Sequence, residues 1–485
     1  MSVEVHNVVA GKSRGGEPFD VVDPADFATV VGVAHSADAA TVSEALEAAA
    51  SAARAWGRLP LEKRTDMVSE AVGAALGGAL GGEKVQGLAT LLTREQGKVV
   101  AESTAEMSHS AALADLLGAL AQQALAHDVL QDELGRRIRG YMPIGPVAAI
   151  TPWNWPVVLA MIKVISALLT GNPVILKPPP TSPLTITRII ADMAAVLPTG
   201  VVAALNGGPD VGAALTASPV IRKVAFTGSS PNGRKVYAAS AVNLKSLTLE
   251  LGGNDAAVLL DDVDLDAALP RLLSASFVTA GQVCWAVKRV YVPASRYRET
   301  TEAICRAVDE FVLGSGLDPE VTLGPLNNRA QLDIVASLVR RAREEGAEVT
   351  ELGRFAAAAD PDGGFFHRPT VVTNVGNDAA IVQEEQFGPV LPLIAYEDEA
   401  EAVQWANGTE YGLSASVWSS DTERAFNVAD LLEAGQVFVN CHGGPALDFT
   451  VGNGGIKQSG IGRELGVEGL REYLEAKLIT SRVFG

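Results

Sequence analysis

The residue best suited to nucleophilic chemistry in this sequence is Cys284. It lies between Gly281 and Trp285, in a stretch too irregular to be one face of a helix, which leaves room for a reactive thiol. The alternative is a small buried hydrophobe, because most free cysteines behave that way. Cys305 fits that alternative, since it falls on an apolar helical stripe, and Cys441 has no evident activating neighbour. Three widely spaced cysteines also argue against a disulfide framework or a CxxC metal site.

A second candidate group is the carboxylate of Glu250. Period-two alternation places Leu247, Leu249 and Leu251 on one face of a strand and Glu250 on the other. The paired glycines at 252–253 would let another backbone or a ligand approach closely. The alternative is a solvated glutamate that points outward, because glutamate is rarely buried without a partner.

A third feature is the segment 223–233, which is typical of a strand, a tight turn and the start of a helix. Such a turn points backbone N–H groups and a helix dipole at an anion. A P-loop would continue with Gly-Lys-Ser/Thr, but Gly233 is followed by Arg234, and no GxGxxG fingerprint is present. The segment alone indicates either an anion site or an ordinary turn that uses glycine for backbone freedom.

Helices and strands must position these groups, and the apolar pattern predicts both. Residues 38–56 have apolar residues at helical spacing, and a second helical pattern opens at Pro60. A later helix should have Ser182 as its cap and Pro183 in its first turn. After residue 145, short apolar runs alternate with helical patterns, which indicates an α/β protein with a parallel, doubly wound sheet. The runs are 147–150, 173–176, 201–205, 223–226, 247–251 and 256–260, and a further series at 289–292, 370–372, 390–395, 415–418 and 436–440 indicates a second α/β domain.

Composition and charge exclude several classes of protein. Hydrophobic residues make up 48% of the 485 residues and charged residues 20%, as in globular chains, and at about 150 residues per domain we expect about three domains. The net charge of −19 repels phosphate backbones and anionic membranes, so we expect no nucleic-acid or membrane partner. The N-terminus lacks the pattern of a secretory signal, and the most apolar stretch, 157–170, is interrupted by Lys163. We therefore expect a cytoplasmic protein.

Six short motifs stand out along the chain. They are Thr151-Pro152-Trp153-Asn154-Trp155-Pro156, Gly171-Asn172-Pro173-Val174-Ile175-Leu176-Lys177-Pro178, Phe226-Thr227-Gly228-Ser229, Leu249-Glu250-Leu251-Gly252-Gly253, Gly281-Gln282-Val283-Cys284 and Glu384-Glu385-Gln386-Phe387-Gly388-Pro389-Val390. Their order and spacing resemble the aldehyde dehydrogenase superfamily over nearly the whole chain, and 457–464 resembles the family's C-terminal motif. Glu250 and Cys284 lie 34 positions apart, which is similar to the family's separation of general base and nucleophile. A joint match of this kind is far more specific than any single motif.

The resemblance implies a non-acylating, hydrolytic mechanism and names the residues that carry it. Cys284 would add to the aldehyde carbonyl, with Glu250 as base for the thiol and for water. Asn154 and the Cys284 backbone N–H would donate to the oxyanion, typically about 3 to 4 kcal/mol per donor. Loss of hydride to the nicotinamide would leave a thioester that water hydrolyses to a carboxylic acid. Lys163 and Glu464 complete the catalytic residues that the resemblance implies.

The resemblance also implies NAD or NADP as cofactor. Lys177 would reach the adenosine ribose, the turn from Gly228 would hold the pyrophosphate, and Glu385 and Phe387 would hold the nicotinamide ribose and ring. The sequence departs from the family at Pro180, where many members have a glutamate that binds the ribose hydroxyls and repels a 2′-phosphate. We therefore expect both cofactors to be used. The full set of cofactor candidates is Thr151, Pro152, Trp153, Lys177, Pro180, Gly212, Phe226, Thr227, Gly228, Ser229, Gly233, Leu251, Gly252, Glu385 and Phe387.

The substrate pocket is less well defined. Its candidates are Trp155, Leu159, Val283, Trp285 and Phe449, which could instead be packing residues. Between 440 and 457 the sequence departs from the family's usual Pro-Phe-Gly-Gly approach, and this segment normally shapes the substrate mouth. The aldehyde is therefore not identified, and no metal site is expected.

The resemblance further implies a division of the chain and an assembly. A Rossmann-type dinucleotide-binding domain would comprise 1–125 and 144–247, and a catalytic α/β domain 248–445. The segments 126–143 and 470–485 would form a small β oligomerisation arm. Exposed edges of such an arm pair with a neighbouring subunit, so we expect a homodimer or homotetramer.

Three alternatives remain. A coenzyme A-acylating aldehyde dehydrogenase would need no hydrolytic base, which argues against it if Glu250 has that role. A thiol hydrolase built on Cys284 would need one of the six histidines as partner, and none lies in a matching motif. A non-catalytic binding protein on the same fold is opposed by the presence of Cys284, Glu250 and Asn154 together.

Overall fold

Two large sheets organise the computed structural model, which describes residues 3–77 and 82–482. The first sheet has eight strands, and its five central strands run parallel. The strands at both edges pair antiparallel, so the sheet expected to be parallel is mixed. Parallel pairing is found where both faces are covered, whereas an edge strand can run in either direction. In sheet order the strands are Gly460–Ile461, Ser246–Glu250, Lys223–Thr227, Val147–Ile150, Val174–Lys177, Val202–Ala204, Asn7–Val9 and Lys12–Arg14.

The strand Val147–Ile150 shows why helices cover both faces of the first sheet. Val147 and Ala149 pack into one apolar cluster, and Ala148 and Ile150 pack into another. Successive side chains of a strand point to opposite faces, so a strand that is apolar throughout needs cover on both. The helices around this sheet are Ala39–Arg58, Leu61–Leu76, Glu83–Gln96, Val100–Ala124, Pro156–Leu169, Leu184–Val196, Pro209–Ala217, Ser230–Ala241 and Gly466–Arg471.

The second sheet has seven strands and its own apolar core. All five runs of the predicted second series are strands of this sheet, and the 256–260 run also belongs here. The pattern missed only the antiparallel edge strand Glu348–Glu351, which is largely exposed. In sheet order the strands are Glu348–Glu351, Thr370–Thr373, Val390–Tyr396, Val287–Pro293, Asp255–Leu259, Ser414–Trp418 and Gln436–Val439. The helices are Leu265–Phe277, Tyr297–Val308, Arg329–Glu344, Ala380–Gln383, Glu399–Asn407 and Thr422–Ala429.

Three smaller sheets complete the fold. The antiparallel strands Leu474–Thr480, Gly135–Pro143 and Asp128–Asp132 form one of them, in the segments expected to make an oligomerisation arm. The other two join Val3–Val5, Asp26–Ser36 and Glu17–Asp23, and Val312–Leu313 with Arg354–Phe355. Among the described residues, no helix is both long and apolar enough to cross a membrane.

The helix Leu184–Val196 begins differently from the prediction. Ser182 does not cap it, and the N-cap position is Pro183. The carboxylate of Glu95 instead accepts hydrogen bonds from the N–H groups of Leu184 at 2.7 Å and Thr185 at 2.8 Å. A helix N-terminus favours a negative charge, but burial raises the pKa of Glu95 to about 7. Glu95 lies 90 positions before Thr185, so local sequence spacing could not show that its carboxylate caps this helix.

Candidate active site

Two cavities meet at Cys284. The first, of about 1010 Å³ including the space open at its mouth, is lined mainly by apolar side chains and is called the apolar cavity here. The second, of about 1160 Å³ on the same basis, has a mixed lining and is called the mixed cavity. Asn154, Thr227 and Cys284 line both. A thiol in this position can meet one ligand from each side.

The segment before Cys284 has an unusual backbone. Thr279 and Ala280 have φ values of 52° and 53°, a left-handed conformation that costs roughly 1 to 3 kcal/mol per residue with a Cβ. Gly281 follows at φ 71°, and a Cβ there would lie 2.2 Å from the carbonyl oxygen of Gly388. The close approach therefore requires glycine, and the turn presents Cys284 at the cavity junction.

A buried lysine holds this turn and affects the thiol. The Nζ of Lys288 donates to the carbonyl oxygens of Gly281 at 2.7 Å and Val283 at 2.8 Å. Burial, and next the charge of Glu250, raise the pKa of the Cys284 thiol far above its usual range, while Lys288 acts in the opposite direction. The protonated thiol is therefore favoured, and its deprotonation needs a base.

Glu250 ends a strand of the first sheet, and its carboxylate lines the apolar cavity. No described residue makes a hydrogen bond with its buried Oε1, and a Cβ on Gly454 would lie only 2.8 Å from that atom. Burial and then Glu464 raise the pKa of Glu250 well above its usual range, while Lys163 and Arg463 lower it. A carboxylate with a raised pKa is suited to accept a proton near neutral pH.

The interruption of the apolar stretch by Lys163 has a structural reason. Lys163 is fully buried, and its Nζ donates to Glu464 Oε1 and to Thr227 Oγ1, both at 2.6 Å. A buried ammonium requires such partners, because leaving it unpaired costs several kcal/mol. Glu464 also lines the apolar cavity, so the ion pair lies beside the space that Glu250 faces.

Asn154 supplies donors at the cavity junction. One hydrogen of its Nδ2 is donated to the carbonyl oxygen of Gln282 at 2.9 Å, which leaves the other available. Within the described residues, its Oδ1 has no partner and the backbone N–H of Cys284 donates to no acceptor. Two N–H groups are thus free for an oxygen atom bound near the thiol.

The helix that carries Lys163 is fixed at its start by a residue the sequence analysis did not single out. Glu106 accepts hydrogen bonds from the N–H groups of Val157 at 2.7 Å and Val158 at 3.0 Å. Its other oxygen accepts from the buried Lys98 at 2.8 Å. Glu106 therefore caps this helix and sets its position relative to the cavities.

The mixed cavity has a cation at one end. Lys177 is largely buried, its Nζ donates to no described residue, and burial lowers its pKa to about 8 while Asp210 acts in the opposite direction. Pro180 is exposed and lines the same cavity. The helix Ser230–Ala241 begins here without a side-chain cap, with Ser229 at its N-cap. These groups can hold anions and hydroxyls.

A carboxylate and an aromatic ring occupy the other end of the mixed cavity. Glu385 accepts from the N–H of Gly253 at 3.1 Å, and burial raises its pKa to about 7. A Cβ on Gly252 would lie 2.3 Å from Glu385 Oε2, so this approach needs glycine. Phe387 packs edge-to-face against Trp153, with ring centroids 5.4 Å apart.

Comparison with known proteins assigns the family. The sequence profile described as "Aldehyde dehydrogenase family" matches residues 10–479. The chain belongs to the aldehyde dehydrogenase family. It is 34% identical to the succinate-semialdehyde dehydrogenase [NADP(+)] GabD of Escherichia coli over 96% of this chain and 94% of that protein. It is also 34% identical to a glutarate-semialdehyde dehydrogenase of Pseudomonas aeruginosa, with the same coverage. Betaine aldehyde dehydrogenase of Staphylococcus aureus, solved with NAD+, superposes with a TM-score of 0.93 at 31% identity and covers 99% of this chain and 95% of that one.

Within this family fold, most predicted site residues are brought together. The five substrate-pocket candidates line the apolar cavity, together with Asn154, Glu250, Cys284 and Glu464. Lys163 stands behind that lining. The predicted cofactor residues that line the mixed cavity are Thr151, Pro152, Trp153, Lys177, Pro180, Phe226, Thr227, Gly228, Ser229, Leu251, Gly252, Glu385 and Phe387.

Two predicted cofactor residues lie outside this lining. Gly212 is on the helix Pro209–Ala217, where a Cβ would lie 3.9 Å from Ile150. Gly233 packs against Leu251, where a Cβ would lie 2.4 Å from a methyl group, so it acts through packing. The N–H of Gly228 is already donated to the carbonyl oxygen of Glu250 at 3.0 Å, which leaves the later N–H groups of the helix start for an anion.

Other lining residues were missed. Val158 and Ile162 could have been found, because they share a helical face with the predicted Leu159. Gln331 had no signal in the sequence; it lines the mixed cavity and donates to the carbonyl oxygens of Gln386 and Phe387, each at 3.1 Å. Further missed residues are His109, Pro179, Asn232, Ile334, Leu413, Ser414, Gln436, Gly444, Leu447, Asn453, Gly454 and Leu465.

Proposed function

We propose that this protein oxidises an aldehyde to a carboxylic acid with NAD or NADP, through a covalent bond to Cys284. The observation that carries the proposal is the position of Cys284 where the two cavities meet, with Glu250 lining the apolar one. An aldehyde in the apolar cavity and a nicotinamide in the mixed cavity would both reach the thiol. Membership of the family supports the reaction class.

The mixed cavity fits a nicotinamide dinucleotide. Lys177 offers an ammonium to the adenosine ribose, and the uncapped start of the helix Ser230–Ala241 offers N–H groups to the pyrophosphate. Glu385 and Phe387 would hold the nicotinamide ribose and ring. When bound, the dinucleotide accepts a hydride from the carbon attached to Cys284.

In the first step, Glu250 removes the proton of the Cys284 thiol, directly or through water, and the sulfur adds to the carbonyl carbon. The electron pair of the C=O bond moves to oxygen. The free N–H of Asn154 and the backbone N–H of Cys284 donate to that oxyanion, each worth about 3 to 4 kcal/mol. Loss of hydride from the carbon then leaves an acyl thioester on Cys284.

Glu250 first releases the thiol proton to solvent. In the second step it removes a proton from water, whose oxygen adds to the thioester carbon. The C–S bond breaks, the acid is released and Cys284 is restored. Glu464 and Lys163 set the charge around Glu250 in opposite directions, since Glu464 favours its protonated form and Lys163 its ionised form. Glu464 and Lys163 therefore adjust the pKa of Glu250 without contacting the Cys284 thiol.

The simplest test follows reduced nicotinamide by absorbance while a panel of neutral and carboxylate-bearing aldehydes is mixed with NAD or NADP. We expect reduction of the dinucleotide and one equivalent of carboxylic acid by mass spectrometry. A protein that reduces neither dinucleotide with any aldehyde would contradict the proposal. Faster turnover on addition of coenzyme A would contradict hydrolysis by Glu250.

Cofactor choice gives a sharper prediction at Pro180. The wild type should use both NAD and NADP, because no carboxylate at this position repels a 2′-phosphate and Lys177 can help neutralise one. Pro180→Glu should raise the ratio of kcat/KM for NAD over NADP by at least about tenfold through like-charge repulsion. Pro180→Gln is the matched control without charge and should shift the ratio much less. A strictly NAD-dependent wild type, or an equal shift in both variants, would move selectivity to other residues.

We also propose the domain division 1–125 with 144–247, 248–445, and 126–143 with 470–485, a homodimer or homotetramer, and a cytoplasmic location. The arrangement of the sheets supports the division, although the strand Ser246–Glu250 spans the 247/248 boundary and belongs to the first sheet. The exposed apolar side chains of the arm, described below, support the assembly.

A further inference from the structure

We infer that the aldehyde is uncharged with an apolar body, and that aldehydes with a carboxylate at the far end are poor substrates. The inference rests on the proposed function and adds the class of substrate. Its starting observation is the lining of the apolar cavity, in which no described residue is a lysine or arginine while Glu250 and Glu464 are both present.

Rigid aromatic surfaces form part of this lining. A Cβ on Gly443 would lie 2.7 Å from the ring of Trp285, and one on Gly444 would lie 3.2 Å from it, so the indole lies directly against glycine backbone. Phe449 packs edge-to-face against His109, with ring centroids 6.1 Å apart. These contacts fix two rings that an apolar substrate can cover.

Trp155, another residue of this lining, is also held in place. The indole Nε1 of Trp155 donates to Thr279 Oγ1 at 3.1 Å, and the Nζ of Lys98 lies 4.1 Å from the centre of its ring. Glu102 in turn accepts from the Thr279 N–H at 2.8 Å. Leu159 lies on the helix just after this indole and lines the same cavity. The cavity is thus a preformed apolar site.

Two cations lie near Glu250, and both have other partners. Lys163 donates to Glu464 and to Thr227. Arg463 donates to the carbonyl oxygens of Gly455 and Gly462, at 3.3 and 2.8 Å. Neither lines the apolar cavity. A substrate carboxylate there would lose its water without gaining a cation, and it would enter a site that already holds two carboxyl groups.

This chemistry separates the chain from two of its relatives. The Escherichia coli and Pseudomonas aeruginosa proteins are named for succinate and glutarate semialdehydes, whose far end is a carboxylate. At 34% sequence identity, the residues that line the substrate pocket can differ between this chain and those two proteins. Burial of a neutral chain or ring against Trp285, Phe449 and Leu159 instead gains the usual apolar transfer energy.

The test uses two matched pairs, each a carboxylate-bearing aldehyde and its neutral methyl ester: succinic semialdehyde with methyl 4-oxobutanoate, and 4-formylbenzoate with methyl 4-formylbenzoate. For the wild type at pH 8 we expect kcat/KM to be at least about tenfold higher for the ester of each pair. Phe449→Arg places a cation in the lining and should lower that ratio at least about tenfold. Phe449→Gln, polar but uncharged, should leave the ratio within about twofold of the wild type.

Binding to Cys284→Ala, measured by calorimetry with each aldehyde, provides a readout without turnover and should show the same preference for the esters. A wild type that oxidises the carboxylate of each pair as well as its ester would overturn this inference and leave the proposed function intact. The same holds if Phe449→Arg and Phe449→Gln change the ratio equally. The proposed function itself would be overturned if the protein oxidised none of these four aldehydes and none of the wider panel.

Discussion

Cys284 differs from the other two cysteines in what it faces. Cys305 packs against the core of the second sheet, and Cys441 donates to the carbonyl oxygen of Val439 at the end of the preceding strand. Only Cys284 lines a described cavity, and it lines two. Burial raises the pKa of all three thiols, so position rather than acidity distinguishes Cys284.

Cys284→Ala and Cys284→Ser should therefore lower aldehyde oxidation by at least about a thousandfold, while dinucleotide binding, measured by calorimetry, is retained. Cys305→Ala and Cys441→Ala are the matched controls and should keep most of the activity. Iodoacetamide inactivation with peptide mapping gives an independent check. Label confined to Cys305 or Cys441 in an inactivated enzyme would remove Cys284 from the mechanism.

Glu250→Gln should slow thioester hydrolysis more than the first addition. We expect a burst of reduced dinucleotide followed by slow turnover, with acylated Cys284 detected by mass spectrometry after rapid quench. In the wild type, burial raises the pKa of Glu250, so steady-state turnover should increase with pH as this carboxyl ionises, and the variant should lose that dependence. Normal turnover by Glu250→Gln would exclude it as the base.

The same substitution has a consequence for stability. Because the pKa of Glu250 is raised in the folded state, the folded protein binds more protons than the unfolded chain between the two pKa values, and its stability falls there as pH rises. Glu250→Gln should therefore unfold at a higher temperature than the wild type at pH 8. The difference should vanish below about pH 4, where the carboxyl is protonated in both states.

At the scale of elements, the helix Pro156–Leu169 depends on a carboxylate from another helix. Glu106→Gln removes the charge that pairs with the fully buried Lys98, and should cost about 3 to 5 kcal/mol in the free energy of unfolding. Glu44→Gln breaks the partly exposed pair with Arg14 and should cost much less, because solvent screens such a pair. Urea denaturation of both variants measures the contrast, and equal costs would show that Glu106 does not hold the helix.

The sequence predicted the parallel strands of the two large sheets well, but it missed the strands before residue 37 and the carboxylates that hold the helices. The run 147–150 is a strand with those bounds, because an apolar run that short leaves little choice of register or end. The alternation of Leu249 and Glu250 also correctly separates the core face from the cavity face. Glu106 and Glu95 gave no signal, because each acts on a helix 51 to 90 residues away and local spacing carries no trace of such contacts. The sequence analysis found the catalytic candidates because each lies in a short local motif. It missed much of the cavity lining because those residues come from many separate segments of the chain.

At the scale of the whole molecule, several large apolar side chains are exposed on the arm, the sheet formed by 128–143 and 474–480. Leu134 and Leu478 are 67% and 66% exposed, and Val129, Leu130 and Ile479 are more than half exposed. Apolar side chains grouped on one antiparallel sheet are typical of a subunit interface.

Leu478→Asp should therefore reduce the molar mass in solution below that of the wild-type oligomer, as measured by size-exclusion chromatography with light scattering. Val242→Asp replaces an apolar side chain that is 83% exposed outside the arm, and should leave the molar mass unchanged. A monomeric wild type, or equal behaviour of the two variants, would contradict a role of the arm in assembly.

The hydrogen bond between Lys163 and Glu464 joins residues 301 positions apart. During synthesis this contact cannot form until the ribosome has reached Glu464. At about 5 to 20 residues per second, a ribosome needs roughly 15 to 60 s to reach Glu464 after making Lys163. The edge strand Gly460–Ile461, which pairs beside Glu250, arrives at the same late stage. Throughout that interval the lysine lacks its carboxylate and the first sheet lacks one edge. The ion pair beside Glu250 therefore cannot form until Glu464 has emerged, however early the first sheet begins to fold.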